Sequence, residues 1–233
     1  MCTVSFLPTA SGFILAMNRD EQKSRVTALP PARKMNSAHV GLYPAEPDGG
    51  TWIGVNDAGL CFALINWNEK PQGPTDIGRG TIIPQLLSCD SLDGAGKRLA
   101  GLQLSRINAF RLMGMGGEQL RQWRWDGAAL EMMEQDWKAQ HWFSSALDET
   151  GVNRVRAETV AASKATKTIE DLRGLHRAHI PARDAYAICM HRPDAQTVSY
   201  TEVVVDSGRA TMAYAPGAPC EQALGGAVEL ELV

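Results

Sequence analysis

The stretch that decides the fold is MCTVSFLPTASGFILAMNRDE, residues 1–21. It contains two short apolar runs, at residues 3–7 and 12–17, with the polar turn Pro8-Thr9-Ala10-Ser11 between them. Two apolar runs of strand length around such a turn are typical of a β-hairpin. We therefore expect the chain to begin with two paired antiparallel strands.

The hairpin brings Cys2 close to charged residues at the end of the second strand. If the turn is centred near residue 10, Cys2 lies opposite about Asn18, and Arg19 and Asp20 are its nearest polar neighbours. A neighbouring arginine lowers the pKa of a thiol and can bind an anionic group of a substrate. A carboxylate can accept a hydrogen bond from an α-amine and orient it. The alternative interpretation is a strand end that is simply solvated.

Cys2 can become the N-terminal residue, because an initiator Met is usually removed when the next residue is small. The exposed α-amine would titrate near pH 8, at roughly 7.7–8.0, so part of it is neutral at physiological pH. A neutral amine can accept the proton of the thiol on the same residue and activate the sulfur as a nucleophile. The alternative is a cysteine that is only part of a buried first strand.

The rest of the chain alternates groups of strands with pairs of helices. This order predicts sheets covered by helix layers, in a single domain spanning residues 1–233, and argues against a parallel doubly wound sheet. We expect loops that line a pocket at residues 26–47. We expect further strands at 51–55, 60–65, 110–115, 120–125, 129–133, 185–191, 197–205 and 209–215, and helices at 80–89, 92–102, 152–163 and 169–177.

Composition excludes several classes of protein. The 233 residues are 44% hydrophobic and 21% charged, which is typical of a globular protein with a full core. A formal net charge of -3 argues against nucleic-acid binding, which needs clustered Lys and Arg. Apolar runs are far shorter than the roughly 18–20 residues of a membrane span, and the N-terminus lacks the pattern of a signal peptide. We expect a cytoplasmic protein without an integral membrane segment.

The cysteines and histidines do not follow a metal-binding spacing. There are five cysteines and no CxxC pair, so we expect neither a disulfide framework nor a zinc site. His176 and His179 could share one helix face and hold a metal, but no thiolate or carboxylate lies beside them at ligand spacing. Cys189 and His191 could be a catalytic pair or contact haem; we favour two residues on one face of a strand.

Five segments together resemble the NRDE family, also called the TANGO2-like (transport and Golgi organisation 2) family. That family is related to N-terminal nucleophile (Ntn) hydrolases of the penicillin V acylase and bile salt hydrolase type. The segment Gly78-Arg79-Gly80 has glycine where the family has the serine of an "SRG" turn. The segments are Met1-Cys2-Thr3, Asn18-Arg19-Asp20-Glu21, TWIGVNDAGL at residues 51–60, Leu64-Ile65-Asn66-Trp67 and Gly78-Arg79-Gly80.

The resemblance implies an α+β fold, the αββα four-layer sandwich, with two antiparallel sheets between helix layers. It implies that Cys2 is the nucleophile and, through its α-amine, the general base. Arg19 would lie near the thiolate and Asp20 would tether the amine. Asn66 would donate its side-chain N–H to a tetrahedral oxyanion, an interaction worth about 3–4 kcal/mol when well aimed. For Asn66 a strand-end cap is the alternative.

The resemblance also implies residues on the far side of the site. Ser145 lies where the related acylases place a second asparagine. Arg154 fits the place of a late catalytic arginine, and Arg156 fits it equally well; the alternative for both is an exposed helix start. Asn18, Ser145 and Arg156 are therefore candidate substrate-binding residues, and Arg154 is a candidate catalytic residue.

Two functions remain as hypotheses. The first is an Ntn-type cysteine hydrolase, an amidase or acylase, that cleaves a linear amide C–N bond through a thioester on Cys2 without a cofactor. The second is a non-catalytic protein that binds or traffics haem or an acyl lipid, because eukaryotic members of the family are associated with haem trafficking and lipid metabolism. The expected ligand is a small-molecule amide, an acyl compound or haem, and homo-oligomerisation stays open.

Overall fold

The computed structural model describes residues 2–163 and 167–233. Within these ranges the chain forms thirteen strands and four α-helices. The strands are β1 Cys2–Pro8, β2 Phe13–Gln22, β3 Leu29–Asn36, β4 His39–Ala45, β5 Ile53–Asn56, β6 Cys61–Asn66, β7 Phe110–Gly116, β8 Gln119–Trp125, β9 Leu130–Gln135, β10 Gln140–Ser144, β11 Ala195–Asp206, β12 Arg209–Ala215 and β13 Val228–Glu231. The helices are α1 Ile82–Leu86, α2 Leu92–Ala100, α3 Glu149–Ala162 and α4 Ile169–His176, with 3₁₀ turns at Arg79–Thr81 and Leu104–Arg106.

The strands form two antiparallel sheets. The first has the strand order β10-β1-β2-β11-β12-β13, and the second has the order β3-β4-β5-β6-β7-β8-β9. Between the sheets, Val4 and Phe6 of β1 and Leu15 of β2 meet Ile53 and Ile65 of the second sheet. Each of these side chains is fully buried, and such burial contributes about 1.5–3 kcal/mol per residue.

Helices cover the outer faces of both sheets. On the second sheet, Ile83 and Leu86 of α1 and Leu99 of α2 pack with Phe62 and Trp123. Ser91 caps α2 by accepting a hydrogen bond from the Gly94 N–H, as its position before the helix predicts. On the first sheet, Leu172 of α4 packs on Leu7 and Ile14. The predicted αββα sandwich is confirmed.

None of the helices in residues 2–163 and 167–233 is both long and apolar enough to cross a bilayer.

The first hairpin forms as predicted, but its register differs by one residue. The connection spans residues 9–12, since Pro8 pairs with Phe13, and Cys2 therefore lies opposite Arg19 and not opposite Asn18. Directly opposed residues share one face of a sheet. Arg19 thus points to the same side as Cys2, while Asn18 pairs with Thr3 and points to the helix layer.

The expectation of loops at residues 26–47 is wrong, because this region holds β3 and β4. The Pro30-Pro31 pair suggested a loop. Here β3 is the edge strand of its sheet, and its ladder with β4 is irregular between Leu29 and Ala32. Proline is tolerated at an edge or a bulge, where no ladder donor is needed.

The strand expected at residues 185–191 is also wrong. The segment is a series of bends, and His191 forms only an isolated bridge with Gln196. Ala187, Ile188, Cys189 and Met190 are completely buried, so the apolar run reflects a buried irregular segment and not a strand. The sequence pattern also missed β10 and β13, which are short.

Candidate functional site

A cavity of about 310 Å³ opens beside the N-terminal end of β1. Charged and polar side chains from distant parts of the chain line it. They come from the first hairpin (Cys2, Arg19, Asp20, Glu21, Arg25), from residues 46–52 (Glu46, Asp48, Gly50, Thr51, Trp52), from β6 (Leu64, Asn66) and from residues 75–81 and Asn108. The first hairpin and the end of β6 therefore meet at one place, as the sequence predicts.

Cys2 lies on an inner strand of the first sheet, between Ser144 of β10 and Arg19 of β2. The residue is only 8% exposed, although it lines the cavity. Burial raises the pKa of the Cys2 thiol, and the Asp20 carboxylate raises it further. The backbone N–H of Asp20 and the Arg19 guanidinium act in the opposite direction on this pKa. In the chain that carries Met1, burial dominates, so the lowered thiol pKa expected from Arg19 alone is not found.

Asp20 is buried and firmly held. Its Oδ1 accepts a hydrogen bond of 2.7 Å from Thr197 Oγ1, and its Oδ2 accepts one of 3.1 Å from Arg156 Nη2. A register irregularity in β11 between Thr197 and Ser199 brings the Thr197 hydroxyl to this place. The carboxylate is thereby fixed beside Cys2.

Arg156, on α3, is completely buried behind β1. Its Nη1 donates to Thr3 Oγ1 at 2.7 Å and to the Cys2 carbonyl oxygen at 3.3 Å, in addition to the bond from Nη2 to Asp20. Arg154, two residues earlier, points to solvent with a side chain 68% exposed and pairs with Glu158. Of the two alternatives, the structure brings Arg156 to the site and leaves Arg154 outside the cavity.

Arg19 is oriented by an aromatic ring and by carboxylates. Its guanidinium lies 4.3 Å from the centroid of the Trp52 ring, a cation–π distance. It pairs with Glu46 and, at 3.6 Å, with Glu21. Arg25 binds Glu46 through two nitrogens. Arg19 is therefore a buried cation with a defined direction beside Cys2.

Asn66 is the last residue of β6 and lines the cavity together with Cys2. Its neighbour on β7 is Phe110, which is fully buried. The strand thus delivers a side-chain amide to the rim of the cavity, on the wall that belongs to the second sheet. This is the arrangement that an oxyanion donor needs.

The structure does not bring Asn18 or Ser145 to the cavity wall. Asn18 is fully buried on the helix side, where its Nδ2 donates to the carbonyl oxygens of His176 and Ile188, both at 2.9 Å. Ser145 is buried directly after β10, and its Oγ accepts from the backbone N–H groups of Leu147 and Asp148. Both side chains hold the walls together and do not face the cavity space.

Arg79 is a cavity residue whose role the sequence did not indicate, although the Gly78-Arg79-Gly80 turn was recognised. Its Nη1 donates to the Ala109 carbonyl oxygen at 3.0 Å. Burial lowers the pKa of Arg79, and the charge of Cys2 raises it. Its loop lies tightly against residues 50–51: Thr51 N–H donates to the Gly80 carbonyl at 2.9 Å, and a Cβ on Gly80 would come within 3.1 Å of the Gly50 Cα. Glycine at position 80 makes this close approach feasible.

The site therefore combines a thiol, a fixed carboxylate, an amide donor and two buried cations. Such a set can support nucleophilic attack on a carbonyl and can bind an anionic group. The nucleophile and the carboxylate come from the first hairpin, and the amide and the second cation come from the second sheet and its loops.

The fold is similar to that of N-terminal nucleophile hydrolases. A conjugated bile acid hydrolase from Clostridium perfringens matches with a TM-score of 0.58 and 13% sequence identity, over 99% of this chain and 92% of that chain. Penicillin V acylase from Agrobacterium tumefaciens matches with a TM-score of 0.57 and 11% identity, over 99% of this chain and 86% of that chain. At these identities the similarity concerns the fold.

A closer sequence relative is the Transport and Golgi organization 2 homolog of Mus musculus, 35% identical over 79 residues. The match covers 33% of this chain and 29% of the mouse protein, so it spans less than a third of that relative's length. The family model described as "Transport and Golgi organisation 2" matches residues 1–179, which include the hairpin, Asn66, Arg79 and α3. This chain belongs to the Transport and Golgi organisation 2 family.

Proposed function

We propose that this protein is an N-terminal-nucleophile cysteine hydrolase that cleaves a linear amide C–N bond through a thioester on Cys2. The observation that carries the proposal is the meeting of Cys2, Asp20, Arg19 and Asn66 at one cavity. The names of the two structural neighbours, a hydrolase of conjugated bile acids and a penicillin V acylase, support a small amide as the substrate class.

The reaction begins with the removal of Met1, which gives Cys2 a free α-amine. In its neutral form this amine takes the thiol proton. Asp20, fixed by Arg156 and Thr197, accepts a hydrogen bond from the resulting ammonium and orients it. The amine thus overcomes the raised pKa that burial imposes on the Cys2 thiol.

The thiolate then attacks the carbonyl carbon of the amide. A C–S bond forms, and the carbonyl electron pair moves to oxygen, where the Asn66 side chain donates a hydrogen bond to the oxyanion. The C–N bond breaks as the α-ammonium gives its proton to the leaving amine. Water, deprotonated by the same α-amine, attacks the thioester, the C–S bond breaks, and the carboxylic acid product leaves.

The two cations indicate which amides fit. Arg19 and Arg79 both line the cavity, and burial lowers the pKa of Arg79 because its charge is poorly solvated. An anionic group on the substrate would compensate these charges. The proposed substrate is therefore a small amide that carries a carboxylate or a comparable anionic group.

The test is to produce the protein with Met1 removed, as verified by intact mass, and to incubate it with a panel of small N-acyl amino acids and neutral amides. Release of amine and a mass increase of one acyl group on Cys2 are expected. Cys2→Ala should abolish both, while Cys89→Ser, a half-buried cysteine outside the cavity, should change neither. Absence of turnover and of acylation, with haem or a fatty acid bound equally by the parent and Cys2→Ala proteins, would instead support the carrier hypothesis.

A further inference from the structure

Four potential metal ligands meet outside the cavity, although the sequence spacing did not predict this. They are His179, Cys189, His191 and Cys220, and one ligand atom from each lies within 4.8 Å of all the others. His176, which the sequence suggested as a partner of His179, is not among them: its two ring nitrogens contact Asn18 Oδ1 and Ser5 Oγ.

The distances within this cluster match the edges of a tetrahedral zinc site. Cys189 Sγ lies 3.4 Å from Cys220 Sγ and 3.7 Å from His191 Nε2, and Cys220 Sγ lies 3.3 Å from His191 Nε2. Tetrahedral Zn²⁺ has Zn–S bonds of about 2.3 Å and Zn–N bonds of about 2.0–2.1 Å, which separates its ligand atoms by about 3.3–3.8 Å. Three of the four atoms already have this spacing.

The two imidazoles are presented in a way that suits metal binding. The Nδ1 of His191 faces Arg183 Nη2 at 3.4 Å, which leaves Nε2 directed at the two sulfurs. The Nε2 of His179 is buried and has no hydrogen-bond partner among the described residues. The His179 and His191 ring centroids are 5.1 Å apart. A buried, unpaired nitrogen beside two thiols is costly without a ligand, because buried polar groups are normally paired.

We propose that His179, Cys189, His191 and Cys220 bind one Zn²⁺ ion in a closed tetrahedral site. On binding, the two thiols each release a proton, and the two thiolates balance the charge of the ion. Four protein ligands leave no open position for water or substrate, which is the arrangement of a structural zinc site.

The position of the cluster suggests what the ion stabilises. It joins the end of α4 to the bent segment before β11 and to the loop after β12, and three of its four ligands lie beyond residue 179, where the family match ends. The bent segment supports the candidate active site: Met190 N–H donates to Thr197 Oγ1 at 2.9 Å, and that hydroxyl donates to Asp20 Oδ1 at 2.7 Å. Cys189 and His191 flank Met190. They would act as positioning residues for Asp20 through the metal.

The alternative chemistry for the two sulfurs is a disulfide. A disulfide needs an S–S distance of about 2.05 Å, joins only the cysteines and leaves the two histidines without a function. The convergence of both imidazoles on the sulfurs favours the metal.

The experiment measures metal on the whole reduced protein, by elemental analysis of the purified chain and by titration of the chelated protein with Zn²⁺ and with Co²⁺. We expect about one Zn²⁺ per chain and, with Co²⁺, the visible absorption of a tetrahedral thiolate-bound ion. Cys220→Ser, in a half-buried loop, should weaken Zn²⁺ binding by more than the 10–100-fold that outer-shell changes typically cost. Cys89→Ser, equally half-buried but outside the cluster, should bind like the parent protein.

The wild-type Co²⁺ titration needs no variant, so a folding defect of Cys220→Ser would not leave the question open. Failure of the reduced protein to bind Zn²⁺ or Co²⁺ would overturn the proposal. So would an intact mass that shows Cys189 and Cys220 joined in a disulfide in protein purified without an oxidant. Because these readouts do not involve amide hydrolysis, they are independent of the fate of the proposed function.

Discussion

Asp20 and Arg156 form an ion pair of 3.1 Å in which neither side chain has any exposure to solvent. The pair joins β2 to α3 directly behind Cys2, and the same guanidinium also contacts the Cys2 carbonyl and Thr3. A buried charge is costly when its partner is absent. The stability of the first sheet and the placement of the candidate catalytic carboxylate therefore depend on one contact.

Arg156→Met should destabilise the protein by about 3–5 kcal/mol, because it leaves the Asp20 carboxylate buried without its cation. Urea unfolding followed by circular dichroism measures this change. Arg154→Met is the matched control: its exposed pair with Glu158 should contribute less than about 1 kcal/mol. Equal effects of the two substitutions would contradict the view that Arg156 is the arginine that supports the site.

Removal of Met1 should switch the reactivity of Cys2. In the chain that retains Met1, burial raises the pKa of the thiol, so iodoacetamide should label Cys2 slowly near pH 7. In the processed chain the α-amine accepts the thiol proton, and labelling of Cys2 should become faster than that of Cys61, Cys89, Cys189 and Cys220. Peptide mass spectrometry after timed labelling follows each cysteine. Cys61, which is fully buried, is the internal reference, and identical Cys2 rates in the two forms would exclude activation by the amine.

The sequence predicts those parts of the fold whose two faces meet different environments. The apolar runs of β1 and β2 and the turn at residues 56–59 show the expected patterns, and the resemblance to the family located Cys2, Arg19, Asp20 and Asn66 at one cavity. The same reasoning fails at residues 187–190, because an irregular segment that is buried on all sides is as apolar as a strand.

Contacts between distant loops are what sequence spacing cannot reveal. The register of the first hairpin depends on whether its loop has one more or one fewer residue, and this determines whether Asn18 or Arg19 faces Cys2. Arg154 and Arg156 are equivalent as residues at a helix start, and only the direction of α3 separates them. Cys189 and Cys220 are 31 residues apart, so no short motif joins them.

Acid should destabilise the protein through two buried histidines near Ser5. Burial lowers the pKa of His176 to about 3 and that of His141 to about 4, below the usual value near 6.5. Between these values the unfolded chain binds more protons than the folded one, so stability is lost as the pH falls from about 6.5 towards 4. Each histidine can contribute a slope of up to about 1.4 kcal/mol per pH unit. Urea unfolding at pH 7, 6 and 5 measures the slope; His141→Gln should reduce it, and a free energy of unfolding that stays constant over this range would refute the assignment.

Loss of the Asn66 amide should slow the chemistry without unfolding the protein. Asn66→Ala should reduce kcat for an accepted amide by about 100–1000-fold, the usual effect of removing one oxyanion donor. Labelling of Cys2 by iodoacetamide should not change, because alkylation forms no oxyanion. Asn36→Ala, on the edge strand β3, is the control and should retain kcat. A proportional loss of labelling and of kcat in Asn66→Ala would mean that Asn66 supports the thiol and not the oxyanion.

Arg79 should determine the preference for anionic amides. A charge-assisted hydrogen bond contributes about 1.5–3 kcal/mol, which corresponds to a factor of about 10–150 in kcat/KM. The parent protein should therefore prefer an N-acyl amino acid over the matched neutral amide by about this factor, and Arg79→Met should lose most of the preference while it hydrolyses the neutral amide as before. Arg106→Met, whose pair with Asp76 lies outside the cavity, is the control and should keep the preference. If Arg79→Met lowers kcat/KM for both amides equally, Arg79 shapes the loop at residues 78–80 and does not bind the anionic group; the preference would then have to come from Arg19, whose guanidinium is already paired with Glu46.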